Sequence, residues 1–251
     1  MPTILKKKYG QNFLIDNNIL HKISSLMPLK NLNVLEIGPG DGKLTDKIIL
    51  KNPSTLTLIE IDSDLIEGLK YKYSKNKKIK IINADILKIK LHKKYEAVIS
   101  NLPYNISSQI LVKLSLLDLM PDTLILMFQK EFSQRLLEKK LNSINSLVKC
   151  FYEIKLNFNV SKNCFRPIPK VDSSVLTFKK IKERLITNKE VDEFILFKRN
   201  LFSNKRKSLQ NILKKYDLKN SFDLSLRVEN LKLEELVRLF KAVKFEISQQ
   251  N

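Results

Sequence analysis

The segment Asn33-Val34-Leu35-Glu36-Ile37-Gly38-Pro39-Gly40-Asp41-Gly42 constrains the fold of this chain more than any other. A short apolar run passes directly into three closely spaced glycines, and residues 43–50 then take up a helical period. A strand, a glycine turn and a helix in that order open a doubly wound α/β sheet. The next stretch of chain keeps the same rhythm. Strands are predicted over 55–61, 79–83, 97–100 and 124–128, and helices over 65–73 and 106–117. This alternation implies a parallel sheet covered on both faces. From Leu147 the pattern changes. Residues 151–160 and 174–179 alternate as β, and no long helix fits between them, so an antiparallel pair is expected to close the sheet. Beyond Lys182 the period is helical over 191–200, 207–216 and 233–243. The expected class is α/β: a Rossmann-like, mostly parallel sheet with antiparallel closing strands over 1–180, then a small helical domain over 181–251. The lysine-rich stretch 71–80 reads as a solvated helix end and loop.

Ligands of doubly wound sheets sit at the carboxyl ends of the strands. Four polar or glycine features fall there: the glycine loop, Glu60, Asp85 and Asn101. A carboxylate ending the second strand can accept from two ribose hydroxyls together. Asp85 can accept from an adenine amino group, with Ile86 packed on the ring. The spacing Gly38-x-Gly40-x-Gly42 differs from G-x-G-x-x-G, so the turn is not shaped for a dinucleotide pyrophosphate. That argues against a nicotinamide oxidoreductase and for S-adenosylmethionine. Asn101-Leu102-Pro103-Tyr104 completes the set. Pro103 forces Leu102 to be extended. The Leu102 carbonyl and the Asn101 side-chain oxygen can then both face one planar amine, and Tyr104 offers a flat face for a base. Two acceptors on one NH2 draw its nitrogen toward tetrahedral geometry and free its lone pair for attack on an electrophile.

Charge points to the partner. Lys+Arg number 46 against Asp+Glu 26, giving +20, which suits a polyanion. The excess is spread along the chain, but residues 196–216 hold seven basic residues and no acidic one. Lys198, Arg199, Lys205, Arg206 and Lys207 are expected to meet phosphate there, with Phe197, Phe202 and Tyr216 interleaved as core aromatics. The Lys6-Lys7-Lys8 run is a weaker candidate. Cys150 and Cys164, the only cysteines, lack metal-ligand spacing, so no metal is expected, and they suit a reducing compartment. No apolar run is long enough for a membrane span and no secretory segment is evident, so the expectation is a cytoplasmic protein that does not engage membranes; it is expected to be a monomer.

Several stretches together resemble the ribosomal RNA adenine dimethyltransferase family, in its small-subunit branch. They are Lys7-Lys8-Tyr9-Gly10-Gln11-Asn12-Phe13-Leu14, the glycine loop through Thr45, Asn101 to Ile106, Gln129-Lys130-Glu131, Phe165-Arg166-Pro167-Ile168-Pro169-Lys170-Val171-Asp172-Ser173, Leu201 to Lys207, and Arg227 to Leu231. The resemblance implies a methyltransferase that uses S-adenosylmethionine to dimethylate two adjacent adenines. These would lie in a hairpin loop near the 3′ end of small-subunit rRNA within a pre-ribosomal particle. Asn12 and Leu14 would lie over the cofactor with Gly38 beneath, Glu60 would hold the ribose and Asp85 the adenine. Asn101 would touch both cofactor and target amine, while Tyr104 and Phe165 would stack the flipped base. One stretch departs from the family pattern: residues 136–147 contain no glycine. Two alternatives stand beside this reading. One is a macrolide-resistance type of enzyme acting on large-subunit rRNA, which methylation mapping would separate. The other is an assembly factor that acts mainly by binding.

Overall fold

The computed structural model describes residues 12–218 and 222–249. The opening segment before Asn12, with its Lys6-Lys7-Lys8 run, lies outside the described residues. The chain divides into two compact units, Met1–Ser133 with Ile154–Lys180 and Gln134–Glu153 with Ile181–Asn251. The second unit therefore includes residues 134–153, which the sequence pattern assigns to the first domain.

In chain order the elements are β1 (Phe13–Leu14), α1 (Asn17–Ser24), β2 (Asn33–Ile37), α2 (Lys43–Ile49), β3 (Thr55–Glu60), α3 (Ser63–Tyr73), β4 (Ile79–Asn83) and β5 (Ala97–Asn101). There follow α4 (Ser107–Ser115), β6 (Thr123–Gln129), α5 (Lys130–Leu137), α6 (Asn145–Val148), β7 (Tyr152–Val160), β8 (Phe165–Arg166) and β9 (Ser173–Lys180). The chain ends with α7 (Val191–Ser203), α8 (Leu209–Ile212) and α9 (Leu233–Gln249). Strands β4-β3-β2-β5-β6-β9-β7 form one sheet. Pairing is parallel from β4 to β6 and antiparallel between β6 and β9. Val34 to Ile37, Leu56 to Glu60 and Ala97 to Ser100 are buried on both faces, which is why these strands read as mainly apolar rather than alternating. Helix starts are set locally. Asp16 accepts from the backbone N–H of Asn18 and Ile19 at 2.8 and 3.0 Å to cap α1, and Asp62 accepts from Asp64 N at 3.2 Å to cap α3.

Two features lie beyond the sequence pattern. β1 and β8 form a separate two-stranded antiparallel pair, Phe13↔Arg166 and Leu14↔Phe165. Elements two residues long carry no period to read. The helix expected over 207–216 is only the single turn of α8. Its first backbone donors, which have no helical acceptor, are met by the following loop, Leu209 N reaching Leu226 O at 2.9 Å and Gln210 N reaching Leu224 O at 2.8 Å.

In the second unit, the glycine-free stretch after Arg135 is a turn held by two asparagines. Asn142 Oδ1 accepts from Ile144 N at 3.1 Å and Asn145 N at 2.9 Å. The fully buried Asn145 donates to the carbonyls of Arg135, Glu138 and Lys140 at 3.0–3.3 Å. The asparagine side chains supply hydrogen-bond partners to backbone groups that the turn leaves without helical ones.

Candidate active site

β3 and β5 lie on opposite sides of β2, so the chain reverses its direction of travel across the sheet there. A crevice opens at that point, as the topology requires. It is lined by Asn12, Leu14, Gly38, Glu60, Asp85 and Asn101, among others. All six residues expected to hold the cofactor are thus brought to one place.

The glycine loop forms the floor. Gly38, Gly40 and Gly42 have φ of +64°, +61° and +79°, a region that side chains rarely adopt. The space above two of them is also taken. A Cβ on Gly40 would lie 2.6 Å from the Phe13 ring, and one on Gly42 would run into the Tyr73 hydroxyl. That hydroxyl reaches Gly42 O and Asp46 Oδ1, each at 2.8 Å, and ties the start of α2 to α3. Gly38 differs: a Cβ there would meet nothing nearer than Pro103 Cδ at 3.9 Å, so the crevice side is open. Beneath the loop the Glu36 carboxyl is buried, which pushes its pKa up to about 8, and it accepts from Thr45 Oγ1 at 2.7 Å.

Glu60 is almost fully buried at the end of β3. Its Oε1 accepts from Ile61 N and Asp62 N at 2.9 Å and its Oε2 from Gly40 N at 3.3 Å. Burial raises its pKa, and these three bonds act in the opposite sense. A carboxylate can accept about four bonds, so acceptor capacity remains for a ligand hydroxyl. Asp85 Oδ1 caps the turn after β4, accepting from Leu87 N at 2.8 Å. Lys113 on α4 holds that turn from behind, donating to Leu87 O at 3.0 Å and Ile89 O at 2.6 Å. Burial lowers the Lys113 pKa. No sequence signal marks Lys113, because a helical lysine reads as a solvated one.

Asn101 ends β5. Its Nδ2 donates to Asn12 O at 3.0 Å, which fixes the amide plane and leaves Oδ1 as the acceptor atom. Tyr104 Oη and Ser173 Oγ are 2.6 Å apart, so the half-buried phenol ring is held through its hydroxyl. Burial pushes the phenol pKa up and the Ser173 bond pulls it down.

Two expected site residues are placed otherwise. Phe165 has no exposed surface and belongs to the hydrophobic core with Leu14, Leu20 and Val175. Held by the β1–β8 pair, it offers no face to a base in this conformation. Lys198, expected to meet phosphate, is 3% exposed. It shares the inner face of α7 with Val191, Phe194 and Leu201. Its Nζ donates to Ser143 O and, at 3.4 Å, to Ser146 Oγ, and burial pushes its pKa down to about 8. Arg199, Lys205, Arg206 and Lys207 are exposed. Phe197 is half-buried and packs against Phe240, with ring centroids 5.6 Å apart.

Lys198 gives the first prediction. Its native pKa lies below that of the unfolded chain, so the unfolded state binds more protons between about pH 8 and 10.5. Stability from this group therefore rises with pH across that window. The stability of the parent relative to Lys198→Met should increase by up to roughly 3 kcal/mol between pH 7.5 and 10.5. Urea unfolding of both proteins at the two pH values measures it, and a pH-independent difference would show that the buried ammonium keeps its ordinary pKa. The neighbouring buried Cys150, pushed up to about 12 by burial, is drawn down in the parent by the Lys198 charge, so the difference between the two proteins also contains this coupling.

Among the described residues no helix is long and apolar enough to cross a membrane, and no three side chains cluster as metal ligands.

A glycine-floored crevice at the switch point, open to an asparagine at the next strand end, is that of the Rossmann-like methyltransferases. A dimethyladenosine transferase from Plasmodium falciparum superposes with a TM-score of 0.81 at 28% identity, covering 94% of this chain and 98% of that one. The 23S rRNA methyltransferase ErmE shares the fold, with a TM-score of 0.74 at 24% identity over 92% and 99% of the two chains. The chain belongs to the ribosomal RNA adenine dimethylase family, whose model matches residues 3–244. The ribosomal RNA small subunit methyltransferase A of Mycoplasmopsis pulmonis is 39% identical over 94% of this chain and 97% of its own length. That of Pelagibacter ubique is 39% identical over 94% and 95%. The chain is an RNA methyltransferase.

Proposed function

We propose that the chain transfers methyl groups from S-adenosylmethionine to N6 of two adjacent adenines in a hairpin loop near the 3′ end of small-subunit rRNA. It would act as a cytoplasmic monomer on a pre-ribosomal particle. The observation that carries this reading is Asn101, its amide plane fixed by the Asn12 carbonyl at the mouth of the crevice.

The crevice fits the cofactor on its own chemistry. Gly38 leaves its floor open, and the lining carboxylates of Glu60 and Asp85 are acceptors of the kind that ribose hydroxyls and an adenine amine call for. S-adenosylmethionine supplies, when bound, an electrophilic methyl group. The remaining work falls to the protein. Asn101 Oδ1 accepts from the target amine, with the Leu102 carbonyl beside it, and both favour the tetrahedral nitrogen over the planar one. No conventional base is required, because the N6 proton becomes acidic only once the new carbon–nitrogen bond is forming. Positioning then supplies most of the rate. Tyr104, anchored to Ser173, offers the stacking face for a base extruded at a cost of about a few kcal/mol, less from a hairpin loop. The buried Phe165 takes this role only if it leaves the core.

The chemistry is tested by methylating small-subunit particles with labelled S-adenosylmethionine and digesting the rRNA to nucleosides. Label in N6,N6-dimethyladenosine is expected, and label confined to another nucleoside would overturn the reading.

Arg199, Lys205, Arg206 and Lys207 are proposed to face phosphate. Changing Lys205, Arg206 and Lys207 together to Ala should weaken RNA binding. It should also lower the salt slope by roughly 0.7–0.9 for each phosphate that is no longer neutralised, with cofactor affinity unmoved. Filter binding across a salt series checks this, and an unchanged slope would mark the run as a solvated face.

A further inference from the structure

We propose that Ser100 is a positioning residue that sets the distance between the cofactor loop and the amine-holding segment. The inference rests on the reading of Asn101 given above. It starts from where the sheet opens. β2 pairs with β5 through Val34↔Ala97, Leu35↔Val98 and Glu36↔Ile99, and there the pairing stops. On its other side β2 continues one step further, to Ile37↔Ile59, and Gly38 N then donates to Ile59 O at 2.8 Å. At Ile37, therefore, β3 holds on and β5 has let go. Ser100 Oγ donates to Ile37 O across this opening. Ser100 is 2% exposed, so water is not at hand to replace the hydroxyl.

The bond joins the two halves of the site at their hinge. Gly38 follows the acceptor in sequence, and Asn101 follows the donor. The same two segments come close once more, at Gly38 and Pro103. The Asn101–Asn12 bond fixes how the amide is turned but not how far β5 stands from the glycine loop. Ser100 fixes that distance. Its hydroxyl is not what holds β5 in the sheet, because β5 stays paired with β6 through Ser100↔Leu126 and Asn101↔Met127. The bond is thus placed to govern alignment rather than folding.

The test compares Ser100→Ala with Ser115→Ala. Ser115 is equally buried and its hydroxyl donates to Leu111 O at 2.8 Å within α4, so this variant removes a similar bond away from the site. Single-turnover methylation of small-subunit particles is measured at saturating cofactor and particle. Rates are expressed per cofactor-binding site counted by calorimetry, so that unfolded protein does not enter. Ser100→Ala should be slowed about 10- to 100-fold, the effect of a misplacement near 1 Å. Its cofactor and particle affinities should stay within about threefold of the parent, and the Ser115→Ala rate likewise. If Ser100→Ala does not fold, Ser100→Cys keeps the bulk with a weak donor and should be slowed in the same sense. A parent rate in a folded Ser100 variant, or weakened cofactor binding with an unchanged rate, would overturn the inference. If Asn101→Ala were slow while Ser100→Ala was not, this inference alone would fall. If both kept the parent rate, the reading of Asn101 would fall with it.

Discussion

Asn101→Ala is expected to slow single-turnover methyl transfer by about 10²–10³, by analogy with donors that stabilise a developing oxyanion. Particle affinity should scarcely change. The Asn101 oxygen gains its full interaction only as the amine nitrogen becomes tetrahedral, so the loss falls on the transition state. The acceptor removed is well defined, because the bond from Nδ2 to the Asn12 carbonyl fixes the amide and makes Oδ1 its acceptor atom. Tyr104→Ala should behave differently. A stacking face holds the extruded base before reaction as well, so rate and affinity should both suffer, the latter by ~1–3 kcal/mol. Filter binding beside single-turnover rates on the same particles separates the two cases. An Asn101 variant at the parent rate would remove the role assigned to this side chain.

Glu60→Ala is expected to weaken S-adenosylmethionine binding by ~1.5–3 kcal/mol, through loss of a charge-assisted hydrogen bond to the ribose. The structure adds a second consequence. The same carboxylate accepts from the backbone N–H groups of Gly40, Ile61 and Asp62. Leaving buried donors unpaired costs about 1–3 kcal/mol each, so the alanine variant should also melt earlier. Glu60→Gln keeps one acceptor oxygen and should recover part of both losses. Titration calorimetry beside thermal unfolding reads them separately. Unchanged cofactor affinity in the alanine variant would sink the ribose assignment even if stability fell.

The strand ends are legible in the sequence because parallel strands buried on both faces leave mainly apolar runs without alternation, as at Leu58-Ile59 and Ala97 to Ile99. The polar residues that end β3 and β5, Glu60 and Asn101, then fall in the crevice. The glycine spacing is legible for a similar reason, since three left-handed backbone positions in five residues leave little alternative to glycine. Sequence and structure part where local pattern meets tertiary packing. Lys198 counts as basic by charge, yet it lies seven residues after Val191 and three before Leu201, on the apolar face of α7. Its helical position carries the signal, and charge alone conceals it. Phe165 belongs to a motif, which places a residue in sequence without saying which way its ring packs. The Asn142–Asn145 turn and the Ser100–Ile37 bridge depend on partners that no periodicity brings together.

Position on the ribosome is the central claim, and mapping methylated adenines measures it most directly. Small and large subunits are each incubated with the protein and S-adenosylmethionine, and primer extension along both rRNAs locates the stops. Stops are predicted at two adjacent adenines in a hairpin loop near the 3′ end of small-subunit rRNA, and nowhere on large-subunit rRNA. Stops on large-subunit rRNA alone, or none on either, would contradict the account.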